Sequence, residues 1–84
     1  MNCNVLTPEK EIYAGAIKSV KVPGNKGQFE ILDGHAPIVS SLGEGTVRII
    51  DETGNRISYT ITRGFIEVLD NEVSLLVQGV SEEI

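Results

Sequence analysis

Tryptophan is missing from this sequence, and phenylalanine and tyrosine occur only twice each. The interior therefore has to be built from Ile, Val and Leu, side chains that suit pleated, half-buried surfaces. Cysteine occurs once, at Cys3, which excludes an intrachain disulfide framework and fits a reducing compartment. Cys3 is expected to serve as a small apolar side chain in the first strand. Histidine also occurs once, at His35, and one His with one distant Cys makes no metal-ligand cluster. Cations are few: seven Lys and Arg stand against twelve Asp and Glu, for a formal net charge of -5 and a pI of about 4.7. Duplex binding needs a basic footprint to displace counterions from phosphates, so nucleic acid is not expected as a partner. Anionic lipid headgroups would repel the same surface, so any membrane attachment is expected through a protein. No apolar run approaches the ~18 residues of a membrane span, and the N-terminus carries no signal-peptide core.

What is present fits one small domain over residues 1–84. A chain of this length buries only about 60–65% of its unfolded surface, so its stability margin is modest. Hydrophobic residues make up 40% and charged residues 23%, values of a folded globular chain rather than a disordered one.

Taken in order, residues 2–7 form an edge or near-edge strand that Pro8 terminates. A longer strand covers residues 12–22, where Val20 and Val22 alternate with Ser19 and Lys21. Ile17 lies three residues before Val20, and strict alternation would turn it to the polar face. One extra residue near Lys18, a β-bulge, returns Ile17 to the core. Residues 37–42 give a short strand ending in the Gly43, Glu44, Gly45 turn, and residues 46–51 alternate with Val47 and Ile49 inward and Arg48 outward. A hairpin connection at 52–55 leads to Ile57, Tyr59 and Ile61, opposed by Arg56, Ser58, Thr60 and Thr62. Arg63 and Gly64 break the run, a strand resumes over 65–69, and Asp70 with Asn71 turns the chain into Val73, Leu75 and Val77. Only the tail, 80–84, has room for a helical turn, and five residues cannot hold a helix in isolation. The reading is all-β: a small β-sandwich of about eight or more short, mostly antiparallel strands.

The most elaborate stretch is 22–39, VPGNKGQFEILDGHAPIV, with Gly24, Gly27, Gly34, Pro23 and Pro37 around two short apolar runs. Glycine reaches positive φ without steric cost and proline presets φ, so two tight turns flanking a strand are specified. That strand carries Phe29 and Ile31 on one side, Gln28 and Glu30 on the other.

A search for chemistry along the chain finds little. His35 could act as a general base for Ser40 or Ser41, but Asp33, two residues away, is better placed to shape the turn than to orient the ring. Gly24, Asn25, Lys26 and Gly27 do not make a phosphate loop, which needs four residues between its glycines and a helix to follow. Glu9 with Glu11, and Glu82 with Glu83, read as solvated charges. No catalytic residue, metal site or cofactor is expected.

The order V-P-G-x-x-G-x-F-x-I-L-x-G-H-A-P-I-V resembles the N-terminal β-sandwich domain of the epsilon subunit of rotary F-type ATP synthases, called delta in mitochondria. Thr7-Pro8-Glu9 and Tyr13-Ala14-Gly15 match that family's opening, and the segments 45–49 and 64–68 match its later strands. The resemblance implies a non-catalytic rotor subunit at the foot of the central stalk, joining the gamma subunit to the c ring so that ion-driven rotation, by protons or sodium, reaches the catalytic sites. It implies a peripheral place on the cytoplasmic face of a bacterial inner membrane, with membrane contact only through the complex. By the same resemblance, Asn25, Lys26, Gly27 and Gln28 face the c ring, while Thr7, Ile12, His35 and Val39 face the gamma subunit. Pro23, Gly24, Gly34 and Pro37 set the turns that present them. Lys26 also fits a plain solvated turn residue.

Three departures accompany the likeness. Gln28 stands where relatives often carry glutamate, and Arg63-Gly64 replaces a more usual glycine pair. The sequence also ends just after the sandwich, in a solvated Ser81-Glu82-Glu83-Ile84, without the pair of C-terminal helices that in many bacteria restrains hydrolysis and in some binds ATP. The expectation is a chain that couples without inhibiting by that route and binds no nucleotide. Two other classes stay open on the residues alone: a free-standing β-sandwich that binds a small molecule or protein in an apolar pocket, and a small hydrolase using His35.

Overall fold

Strand β2 (Glu11–Gly24) ties the fold together, because its fourteen residues are long enough to serve in two layers. In the computed structural model, which describes residues 1–83, its first half pairs with β1 (Asn2–Leu6), while its second half pairs with β3 (Gly27–Leu32) and β5 (Gly45–Asp51). One layer continues from β1 through β8 (Glu72–Gln78) and β7 (Arg63–Leu69) to β4 (Ile38–Leu42). The other continues from β5 through β6 (Arg56–Ile61) to β9 (Ser81–Glu83). All pairings are antiparallel except that of β1 with β8. The described residues contain no helix, and the architecture is the expected β-sandwich.

The bulge falls where the alternation demands it. The β2–β5 register slips between Ile17 and Ser19, leaving Lys18 as the extra residue, and Ile17 is buried with Val20 and Val22. Between the layers lie Ile17, Val20, Val22, Ile31, Val47, Ile49, Ile61, Val73, Leu75 and Val77, as alternation anticipates, joined by Val5, Ile66 and Val68. Cys3 joins them, and burial pushes its thiol up to about 12, so it stays protonated and inert. Tyr59 is buried through its ring, and its hydroxyl donates to the Ile12 carbonyl at 3.3 Å.

Three expectations need correction. The first strand is no edge: β1 has β2 antiparallel on one side, and the distant β8 returns parallel to it on the other and covers the edge that local sequence leaves open. The break in the chain lies at Thr62, not at Arg63-Gly64, which open β7 and pair with Gln78 and Val77. The Thr62 backbone N–H donates instead to the Gln78 carbonyl at 2.9 Å. The tail is a strand rather than a helical turn, because Ser81, Glu82 and Glu83 find the free edge of β6 at Thr60, Tyr59 and Ser58. The final residue of that expected turn, Ile84, lies outside the described residues.

Candidate functional site

The first candidate surface is the β2–β3 hairpin. Gly24 pairs with Gly27, so Asn25 and Lys26 form a two-residue loop. Gly24 is required by close approach: a Cβ there would lie 2.7 Å from the Gly27 carbonyl oxygen and 2.8 Å from the Phe29 ring. Gly27 has φ +124° with open space around it. Pro23 is buried in the ladder opposite Gln28, and its carbonyl accepts from Gly43 N–H at 2.8 Å. The Asn25 amide donates to Ser41 Oγ at 2.7 Å, which pins the loop to β4. Lys26 and Gln28 are exposed beyond it, so the hairpin presents one cation and one neutral amide on a short, anchored tip.

The second turn, 33–37, follows β3. Gly34 has φ +81°, and its N–H donates to Asn71 Oδ1 at 2.8 Å. The His35 N–H donates to the Leu32 carbonyl at 3.0 Å, and its Nδ1–H donates to the Ala36 carbonyl at 2.7 Å. Asp33 is engaged by the Asn71 amide at 3.1 Å and by the amino group of Met1 at 3.5 Å. The imidazole thus meets a carbonyl where a catalytic dyad would place a carboxylate. Pro37 is exposed just before β4 and starts the chain into that strand.

Thr7, Ile12, His35 and Val39 do not form one patch. Thr7 builds the turn between β1 and β2: its hydroxyl donates to the Lys10 carbonyl at 3.0 Å and accepts from the N–H groups of Glu9 and Lys10. Thr7 and Ile12 line one groove of about 490 Å³ with Tyr59 and Val80. Val39 projects from the outer face of β4, 72% exposed. His35 sits at the opposite end of the sandwich, beside the β7–β8 turn, a strand length on the order of 20 Å away from Thr7.

Sequence reasoning did not single out the apolar outer face of the β1–β8–β7–β4 layer. Register places Leu76 beside Leu6 and Phe65, and Phe65 beside Ser41. Phe65 and Leu76 are 57% and 53% exposed and, with Leu6, line a groove of about 760 Å³ whose rim includes Asn25, Ser41 and Arg63. The signal was available: Phe65-Ile66 and Leu75-Leu76 are apolar in both phases of the alternation, so one member of each pair must face out. Arg63 donates through Nε to the Gln78 side chain at the edge of this groove. Among the described residues, no group of three or more His, Cys, Asp and Glu side chains is placed to hold a metal ion.

The family described as ATP synthase, Delta/Epsilon chain, beta-sandwich domain, matches residues 1–83. The ATP synthase epsilon chain of Leptospira borgpetersenii is 44% identical over 77 residues, covering 90% of this chain and 59% of the relative. That of Chlorobaculum tepidum is 38% identical over 78 residues, covering 93% of this chain and 89% of the relative. The chain thus spans a little over half the length of the Leptospira relative and most of the Chlorobaculum one. Among solved structures, a chain of the Euglena gracilis mitochondrial ATP synthase (OSCP/F1/c-ring) superposes with a TM-score of 0.88 at 22% identity, covering 95% of this chain and 51% of that one. A chain of the Tetrahymena thermophila mitochondrial central stalk and c ring gives 0.78 at 20% identity, covering 96% and 65%. At such identities these two likenesses speak for the fold. By its match over residues 1–83 and its curated relatives, the chain belongs to the family of the ATP synthase delta/epsilon chain, beta-sandwich domain.

Proposed function

We propose that this chain is a non-catalytic rotor subunit of a rotary ATP synthase, placed at the foot of the central stalk between the gamma subunit and the c ring. The observation that carries the reading is family membership across residues 1–83. The architecture suits the task, because torque passes through a body that does not shear. Here β2 belongs to both layers and β1 is hydrogen-bonded on both edges, so the two sheets cannot slide independently.

In this reading the anchored tip with Asn25, Lys26, Gly27 and Gln28 meets the polar loops of the c ring, Lys26 supplying charge and Gln28 a neutral hydrogen bond. Val39, opposite Glu67, and the apolar row of Phe65 and Leu76 on the same outer face offer the gamma subunit exposed side chains whose burial drives association. His35, Thr7 and Ile12 lie at the two ends of the body and serve as flanking contacts. In a bacterial cell the chain would be peripheral at the cytoplasmic face of the inner membrane, held there by the complex. Its ion, proton or sodium, is set by the ring.

Co-expression with the gamma subunit of the same genome, followed by native mass measurement, tests the reading. A one-to-one complex supports it. A folded chain that remains alone beside a folded gamma subunit overturns a direct gamma contact. The 760 Å³ groove supports a second reading, a binding module for a small apolar molecule. Slowed exchange or shifted amide signals confined to Leu6, Phe65 and Leu76 on titration with such a molecule would favour it.

A further inference from the structure

The β7–β8 turn is made by Asp70 and Asn71, with φ +50° and +62°. Two successive left-handed residues are the signature of the two-residue hairpin turn that follows the twist of its strands. Glycine suits the second of these positions best and asparagine tolerates it, so the turn alone gives no reason to prefer asparagine over glycine. The side chain does. Its Oδ1 accepts the Gly34 N–H at 2.8 Å, and its Nδ2 donates to Asp33 Oδ1 at 3.1 Å, across 37 and 38 residues of sequence. The Asn71 backbone carbonyl meanwhile accepts the Asn2 N–H at 3.0 Å. One residue thereby joins the start of β1, the β7–β8 turn and the segment after β3.

The segment it grips has little else to hold it. Asp33, Gly34, Ala36 and Pro37 are exposed, and nothing lies within 4 Å of where a Gly34 Cβ would be. The His35 N–H bond to Leu32 is local to the turn. Apart from the Met1 amino group near Asp33, the Asn71 carboxamide is the long-range hydrogen-bonded tie to Asp33 and Gly34 among the described residues. The pairing is chemically selective. An N–H must meet an acceptor and a carboxylate must meet a donor, and a short amide supplies both. Aspartate lacks the donor, and glycine lacks both.

We infer that Asn71 is a positioning residue: its carboxamide, clamped on Gly34 and Asp33, sets the conformation in which the 33–37 segment presents His35 to a partner. The partner half of this statement rests on the rotor reading, while the clamp stands on geometry alone. Residue 71 thus links the β7–β8 turn to the His35 loop, and a change at one is felt at the other.

Three variants of the full chain test it. N71G keeps the left-handed turn and removes the amide. N71D keeps an acceptor for Gly34 but sets a carboxylate against Asp33. In D33N/N71D amide and carboxylate have exchanged places, so both bonds can form again. Gly34 amide exchange by NMR reads the clamp, and affinity for the gamma subunit reads its consequence. N71G and N71D should speed Gly34 exchange about fivefold to tenfold, the factor of one ordinary net hydrogen bond, and weaken gamma binding by a similar factor. D33N/N71D should bring both readings back to within about twofold of the parent. If N71G leaves Gly34 exchange and affinity unchanged, or the double variant resembles N71D, the inference is overturned. Faster exchange with unchanged affinity overturns the link to the partner. A parent chain that binds no gamma subunit overturns the rotor reading instead, and Gly34 exchange in the same variants still decides the clamp.

Discussion

A Cβ on Gly64 would stand 2.5 Å from the Leu76 carbonyl oxygen, so β7 and β8 approach more closely here than an alanine permits. The same atom would meet the Val77 side chain at 3.2 Å. Gly64 has ordinary extended backbone, and space rather than φ demands glycine. The obstacle is backbone on a central strand, which cannot swing aside. Gly64→Ala should therefore cost about 1–3 kcal/mol, the range for overfilled interiors, read as a lower urea midpoint with an unchanged slope. An unaltered midpoint would mean that the two strands can spread.

Gly34 poses the opposite case. Its φ of +81° disfavours any side chain, yet the space around it is open. Gly34→Ala should cost about 1–2 kcal/mol from backbone strain alone, and Gly34→Val more, because a β-branched residue tolerates positive φ least. Gly24→Ala should exceed Gly34→Ala, since it drives a Cβ into a carbonyl oxygen and the Phe29 ring. Thermal melts of the three variants, ranked against one another, check the order.

Asp51 caps the β5–β6 turn. Partial desolvation pushes its carboxyl up, but hydrogen bonds from Asn55 and Thr53 outweigh it and hold the group below its ordinary value of 3.8. Oδ1 accepts the backbone N–H groups of Thr53 and Asn55 and the Thr53 hydroxyl, each at 2.9 Å. A native value below the unfolded one gives stability that is present above about pH 4 and lost as pH falls through the lowered native value. In urea titrations from pH 6 to pH 2, the gap between the parent and Asp51→Asn should narrow towards the acid end. A gap that stays constant would remove Asp51 as a source of acid sensitivity.

The rotor reading makes separable predictions for the two faces. Lys26→Glu reverses the charge on an exposed hairpin tip, so the melting temperature should hold while attachment to the c ring weakens, more so at low salt. Phe65→Ser removes an outward ring from β7 and should spare the fold but reduce gamma binding about tenfold, if the groove at Leu76 lies under the gamma subunit. Pull-down of the ring and titration with the gamma subunit, run on both variants, would show whether each change acts on its own partner. Equal loss for both partners in either variant would point to a general folding defect.

Local sterics and period-two alternation made much of the fold legible beforehand. The bulge at Lys18 follows from the spacing of Ile17 and Val20, and the glycines at 27 and 34 announce turns because only short-range backbone geometry is involved. Asp70 and Asn71 announce a hairpin for the same reason. The candidate hairpin tip was visible too, since an Asn-Lys pair between two glycines has little choice but to be a loop.

By itself, then, the sequence determined most of the strands, the inward faces of those that alternate cleanly and the turn chemistry, all properties carried within a few neighbouring residues. The tertiary structure decided what depends on distant partners. Gly64 looked like a breaker and is a strand residue, because the Leu76 backbone that forbids a side chain there is twelve positions away. Phe65 and Leu76 became an exposed apolar face only once register laid them side by side. The tail became a strand because β6 offered an unpaired edge. Asn71 acquired a role beyond its turn when folding brought Asp33 and Gly34 within hydrogen-bond reach. The physical reason is common to all four: cross-strand contacts join residues whose separation along the chain carries no local signature, and only chain closure selects which of them meet.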